Sequence, residues 1–455
     1  MGHLDVVTWV LERGRCRCRC SVAEEVARRG DLEMMKFLVD HSLVDGLTAA
    51  PDVAAEFGHV EMMRWFAENE DKHGWQFTEN ALKGAAANGF KDAVVWLHEH
   101  GKADYKSNAM DYAAGNGHLD VLQWLHGHRH ADYVVDAMDV AAKNGHLEVL
   151  QWLHTNAVGA CTPLAIDMAA ERNHLNVVKW LHENRCDGCT TVAMDGAAKE
   201  GHIEVVKWLH YNRDEGCTYL AMDCAVQNGY LDVVSFLYEN RSEGCTKNAI
   251  NLAAGNGDLK MVQWLLAHKP VGLNEECLAE ALALAATGGY LDVVKCLHMS
   301  CSDACQPDTI LAGARSGHLE IVRWLRENCS ETSLSQVMFF AAENCHVEIV
   351  KWLCESTTLQ CPTNAMKRAV SIGDFSMLQF LRIATAKDRA FLASARRIAA
   401  GYHQTEVMQW LTENYSEVRY QHCVNETSRD SPSRKFGAWR HTLPLYTSAL
   451  AFTAL

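Results

Sequence analysis

The chain has 455 residues, 48% of them apolar, and 42 lysines and arginines against 57 aspartates and glutamates give a net charge of −15. That balance argues against a body built to bind nucleic acid, and no run reaches the roughly 18 apolar residues of a membrane span. Met1 leads straight into GHLD, without the charged and apolar regions of a secretory leader, so a cytoplasmic protein is expected.

The pattern is plainest at Gly201–His210, GHIEVVKWLH. Its first position recurs at residues 2, 30, 58, 89, 117, 145, 173, 201, 229, 257, 289, 317, 345, 373 and 403, at a nearly constant interval. A period of about 28 residues means stacked supersecondary units, so the usual reading of a long chain as several separate cores does not apply. In chain order, Gly2–Arg13 reads as a second helix with no first helix before it, and a truncated gene model or a chain that continues upstream is expected there. Arg15–Cys20, RCRCRC, reads as a solvated loop, with a metal-binding or redox patch as the minor alternative. The units up to residue 77 are irregular, with Phe37 in a tryptophan position. A first insertion lies in Asn69–Phe77 and carries Trp75 out of register. The regular repeats occupy 78–268. A second insertion lies in His268–Cys277, and divergent repeats fill 278–414. Insertions in such arrays form loops on one face, often a binding face. Tyr415–Leu455 carries no repeat; its NETSRDSPSRK stretch has the composition of a disordered linker.

One unit is best read from Thr218. Its hydroxyl suits a helix N-cap, and in another copy Pro163 follows Thr162 at the first helical position, where a missing N–H is harmless. A short helix, TYLAMDCAVQ, ends at Asn228-Gly229, glycine supplying the left-handed turn. Leu231, Val234, Phe236 and Leu237 then define the apolar stripe of a second helix. Asn240–Cys245 leads to the next N-cap. One unit alone cannot bury its stripe; stacked units can.

These residues resemble a known family. Ala137–His154, with its AMD, the helix-ending AA-x-x-GH, then LEVLQWLH, is similar to the ankyrin repeat, and the resemblance covers about residues 1–414. It implies an all-α, ankyrin-like solenoid of about 15 helix-turn-helix repeats that binds proteins and is not an enzyme. Two departures matter. The ankyrin period is about 33 residues, and the missing residues fall after the second helix, so the family's β-hairpin fingers are expected to be shortened or absent. The family's TPLH box reads A-M-D here, so Asp111, Asp139, Asp167, Asp195 and Asp223 stand where ankyrins have histidine.

That aspartate ladder has two readings: each carboxylate bonds backbone in an adjacent loop, or the five make a negative stripe for a basic partner. Both hold if only one oxygen of each is used internally. Beside the ladder, Asn108, Asp136, Leu164, Val192, Leu220 and Asn248 vary without drift in the core, as do Lys143, Glu171, Lys199 and Gln227. They read as a modular partner-binding surface or as unconstrained exposure. The tryptophan column and the two histidine columns, GH and WLH, read as packing. Eight cysteines share one column, including Cys161, Cys189, Cys217, Cys245, Cys277 and Cys305. Stacked helices lie about 10 Å apart, too far for a disulfide within the column, so reduced, packed thiols are expected. Cys186-Asp-Gly-Cys189 has no second pair at zinc-ribbon spacing. No catalytic, cofactor or metal site is expected, since no G-x-S-x-G, P-loop, H-E-x-x-H or dinucleotide pattern occurs.

The function expected is a protein-interaction scaffold that binds an extended or helical segment on its concave first-helix face, with the acidic ladder biasing it toward a basic one. It would be monomeric, with no nucleic-acid or membrane partner. A substrate adaptor or regulatory protein, and a spacer without a specific partner, are the alternatives.

Overall fold

A threonine before an apolar run starts the first helix of each regular unit. In the computed structural model Thr162, Thr190 and Thr218 are extended at the N-cap. Each hydroxyl accepts the N–H of the residue two positions on, at 3.1–3.2 Å, satisfying a donor that the helix itself cannot. Helices Pro163–Glu171, Thr191–Lys199 and Tyr219–Gln227 follow. The turn after them is closed by a pair of bonds: Gly201 N–H donates to Ala198 O at 3.2 Å, and His202 N–H to Ala197 O at 2.8 Å. Gly201 has φ +77°, the left-handed value this closure requires. The second helix, Ile203–Asn212, begins immediately after.

The core repeats with the same period. Ala169, Ala170, Ala197 and Ala198 are fully buried, so neighbouring first helices approach closely. Val205, Val206 and Leu209 bury the stripe of the second helix, each side chain worth about 1.5–3 kcal/mol when removed from water. The aliphatic stripe thus forms where the sequence places it.

The structure describes residues 20–41, 48–103, 108–128, 137–184, 188–269, 275–301, 305–329, 333–357, 359, 363–384 and 389–414. Among these there are 29 helices and no strand, the all-α solenoid of ankyrin-like helix pairs that the repeat predicts. The chain divides into two compact units, Met1–Val337 and Met338–Leu455. Within the second, Val347–Ser356, Thr363–Ile372, Phe375–Ala384, Arg389–Gly401 and Thr405–Asn414 are helical. No helix among the described residues is long and apolar enough to cross a membrane. Gly2–Arg13, most of RCRCRC, and the tail beyond 414 lie outside the described residues.

The first insertion is folded rather than projecting. Glu70–His73 forms one helical turn and Gly74 reverses the chain at φ +70°. Trp75 is thereby buried against Trp65 and Phe66, at ring separations of 5.4 and 5.3 Å, with His73 stacked on it at 4.3 Å. Of the second insertion, residues 270–274 lie outside the described set; the helix after it, Glu275–Gly288, is longer than its counterparts.

Candidate interaction surface

The aspartate ladder pairs one residue of each unit with the N-cap of the next. Asp139, Asp167 and Asp195 each receive the backbone N–H of the next unit's N-cap threonine on Oδ1, and Asp223 that of Thr246, two residues before the N-cap Asn248, at 2.8–3.0 Å. The same threonine's hydroxyl donates to Oδ2 at 2.6–2.8 Å. Asp52 does the same for Thr78 outside the regular set. Both oxygens are therefore engaged inside the array, and Asp139, Asp167 and Asp223 are buried. Burial raises the Asp167 carboxyl above its ordinary value, against the opposing pull of the Thr190 hydrogen bonds; Asp52 is raised in the same way. Asp111 is half-buried, but the N-cap position of its next unit holds Val134, not threonine, and lies outside the described residues. The condition under which these carboxylates could also face a partner, one oxygen left over, is not met at the four clamped positions.

The varied row is what these helices present outward. Leu164 is 50% exposed, Val192 54% and Leu220 47%, at one register on three consecutive first helices. Tyr219, 51% exposed, lies beside the last of them. Asn248 continues the row, and Asn108, left-handed at φ 52°, opens an earlier first helix. Asp136 lies outside the described residues. In the second set, Lys199 and Gln227 are exposed while Lys143 and Glu171 are half-buried. Lys199 Nζ reaches Glu200 at 3.2 Å and Glu171 at 3.8 Å. The structure thus brings apolar and charged side chains together on one face and turns the ladder's carboxylates away from it.

The histidine columns join one unit to the next. His118 Nε2 donates to Ala87 O at 3.1 Å and His202 Nε2 to Glu171 O at 3.1 Å. The His174 ring also covers the turn glycine of the preceding unit: a Cβ on Gly145 would lie 2.5 Å from His174 Nδ1. The WLH histidines stand edge-on to the tryptophan of the next unit, His154 to Trp180 at 5.5 Å and His182 to Trp208 at 5.2 Å. Those tryptophans are half-buried between units. The columns are visible in the sequence; their partners, one unit away in another copy, are not.

The cysteines require a correction. Cys161, Cys217 and Cys277 are buried free thiols, and Cys189 and Cys245 half-buried ones. Burial pushes Cys189, Cys217 and Cys245 up to about 11. Cys305, however, is disulfide-bonded to Cys329, with Cα atoms 6.2 Å apart. The spacing argument holds within the column, but Cys329 stands outside it, on the adjoining unit and within bonding reach. Cys18, Cys186 and Cys361 lie outside the described residues, as does His130, the last of three closely spaced histidines with His126 and His128. His128 stacks on Trp124 at 4.2 Å and bonds its carbonyl.

A family model described as ankyrin repeats (three copies) matches residues 53–139, 138–223, 166–251, 222–308, 250–336 and 282–366. A comparison with curated proteins found no match. Ankyrin repeats are generally protein–protein interaction modules. With matches running from residue 53 to 366 and the same helix pair repeated beneath them, the chain belongs to the ankyrin-repeat family.

Proposed function

We propose that the protein is a non-catalytic interaction scaffold whose first-helix face, centred on Leu164, Val192 and Leu220, binds a partner segment. The observation that carries this reading is the apolar side chain half-exposed at the same register of three successive units. Packed helices repeat at about 10 Å. An extended segment of polyproline-II form advances about 9 Å in three residues and brings every third side chain to the same face, and a helix advances about 10 Å in seven. A segment with an apolar residue every third position when extended, or every seventh when helical, would set one side chain on each unit. The net charge of −15 favours lysine or arginine between them and assists encounter.

A display library with those two spacings and basic intervening residues, selected on the full chain, tests this. A selected peptide is expected to bind the Leu164→Asp/Val192→Asp/Leu220→Asp variant at least about tenfold more weakly, because each change sets a charge against an apolar anchor. Far-UV helicity should be unchanged, since the three positions are exposed. Equal binding by both proteins removes this face from the reading. No selected peptide at all leaves a spacer without a specific partner as the better account.

A further inference from the structure

Among the described residues, three joints in the array carry a matched trio of side chains in the same register. They are His182, Cys189 and Arg213; His210, Cys217 and Arg241; and His298, Cys305 and Cys329. In the first, the Arg213 guanidinium lies 3.2 Å from His182 Nδ1, and its charge pulls the Cys189 thiol down against the effect of burial. In the second, the charge of Arg241 acts on the Cys217 thiol in the same sense. A fixed positive charge thus sits against the imidazole or the sulfur. In the third trio that cation is gone and a second sulfur stands in its place.

The donor atoms of His298, Cys305 and Cys329 all lie within 4.8 Å of one another, and the three residues are half-buried. His298 stands edge-on to Trp324 at 5.2 Å, and its Nδ1 is buried without a hydrogen-bond partner among the described residues. His210 Nδ1 is likewise unpartnered, so the orphan nitrogen alone is no signal. Loss of the guanidinium, together with gain of a sulfur that already reaches Cys305, is the signal.

We propose that His298, Cys305 and Cys329 form a redox-gated site for a soft divalent cation of the zinc class. The oxidised state is the disulfide. A dithiol reductant transfers two electrons to the S–S bond and becomes a disulfide itself, leaving Cys305 and Cys329 as thiols. The cation then displaces one proton from each thiol and takes two thiolates and the neutral imidazole as ligands, with water in the fourth position. Zinc–sulfur distances of about 2.3 Å and zinc–nitrogen distances of about 2.0 Å put tetrahedral donors roughly 3.3–3.8 Å apart, a small adjustment for side chains on two joined units. Thiolate ligands select this class of cation over magnesium or calcium. Oxidation by a disulfide oxidant removes two electrons from the two thiolates, re-forms the S–S bond and releases the cation, so cation and disulfide exclude each other.

The test uses the full chain, reduced with a phosphine and titrated anaerobically with cobalt(II) and then zinc. Cys329→Arg restores the side chain of the sister joints and should keep the fold, checked by far-UV helicity. Reduced wild type is expected to bind one cobalt more than Cys329→Arg, with a thiolate-to-cobalt charge-transfer band that zinc removes. Loss of this ligand should weaken the site more than about a hundredfold. Oxidised wild type should lack the same equivalent. Zinc should also shield Cys305 and Cys329 of the reduced wild type from alkylation, read by peptide mass spectrometry, a measurement that needs no variant. Equal stoichiometry in reduced wild type and Cys329→Arg, equal stoichiometry in the oxidised and reduced chain, or alkylation of the two cysteines unaffected by zinc would each overturn the proposal.

Discussion

Asp167 holds Thr190 by both of its oxygens: Oδ1 takes the backbone N–H at 2.8 Å and Oδ2 the hydroxyl at 2.7 Å. Thr190 in turn caps the helix Thr191–Lys199. One carboxylate on one unit therefore fixes where the next unit's helix begins. Replacing Asp167 with alanine leaves two donors without partners near the interior, a loss of about 2–3 kcal/mol. Asparagine, which can still accept one of the two bonds, should lose about 1 kcal/mol. Urea unfolding measures both, and an alanine variant within about 0.5 kcal/mol of wild type would show that the clamp carries no stability.

The turn glycines answer to a neighbour as well as to their own backbone. Gly145 has φ +81°, and an added Cβ would meet His174. Gly145→Ala is expected to lose the roughly 1–2 kcal/mol of a left-handed non-glycine residue and a further increment from the displaced ring. Combining it with His174→Ala should show a coupling of about 1 kcal/mol. Strict additivity would mean that the ring moves aside freely.

Acid should weaken the histidine column first. Burial holds His146 and His174 below the ordinary value of 6.5. The unfolded chain therefore takes up protons before the folded one as pH falls, so this contribution is complete above pH 6.5 and is lost below it. Thermal midpoints measured from pH 8 to 5.5 should decline with pH. The slope should flatten in His146→Gln/His174→Gln, a substitution the chain itself uses, since Gln404 Nε2 bonds Ser371 O at 2.8 Å in the matching place. Asp52 and Asp167 act in the opposite sense and lower down. Raised above 3.8, they favour the folded state below that pH, and this is lost as pH rises through their folded values. An unchanged midpoint from pH 8 to 5.5 would contradict the histidine assignment.

The column thiols should be inert while the chain is folded. With Cys189, Cys217 and Cys245 at about 11, roughly one part in a thousand is thiolate at pH 8. Alkylation followed by mass spectrometry should find them far slower than the same cysteines in urea. Equal rates would mean that the joints open readily.

The sequence displays the period, the caps, the turn glycines and the aliphatic stripe, because each is a property of residues within one unit. The unit boundary at Thr218 and the stop at Asn228-Gly229 fall where the structure has them. What escapes it are relations between copies. Asp167 is visible as a column, and a bond to backbone in an adjacent loop is one of its two readings; that the hydroxyl of Thr190 occupies the second oxygen is not legible in a column. Cys329 is hidden for the same reason: it matters only because it occupies the place of Arg213 and Arg241, a register apparent once the units are stacked. Trp75 stands out as off-pattern, but its burial depends on the turn made by Glu70–Gly74.

Because the Asp–Thr clamp spans the same 23 residues at the four regular joints, that part of the array carries no absolute length. Excising residues 173–200 would bring Thr218 to the distance from Asp167 that Thr190 now holds, and Gly201 to the place of Asn173. The seam would be indistinguishable from any other joint. Whole units can therefore be gained or lost by unequal recombination without passing through an unfolded intermediate form of the gene product. Length is then free to change by one unit at a time, while the bonds at every remaining joint stay as they were.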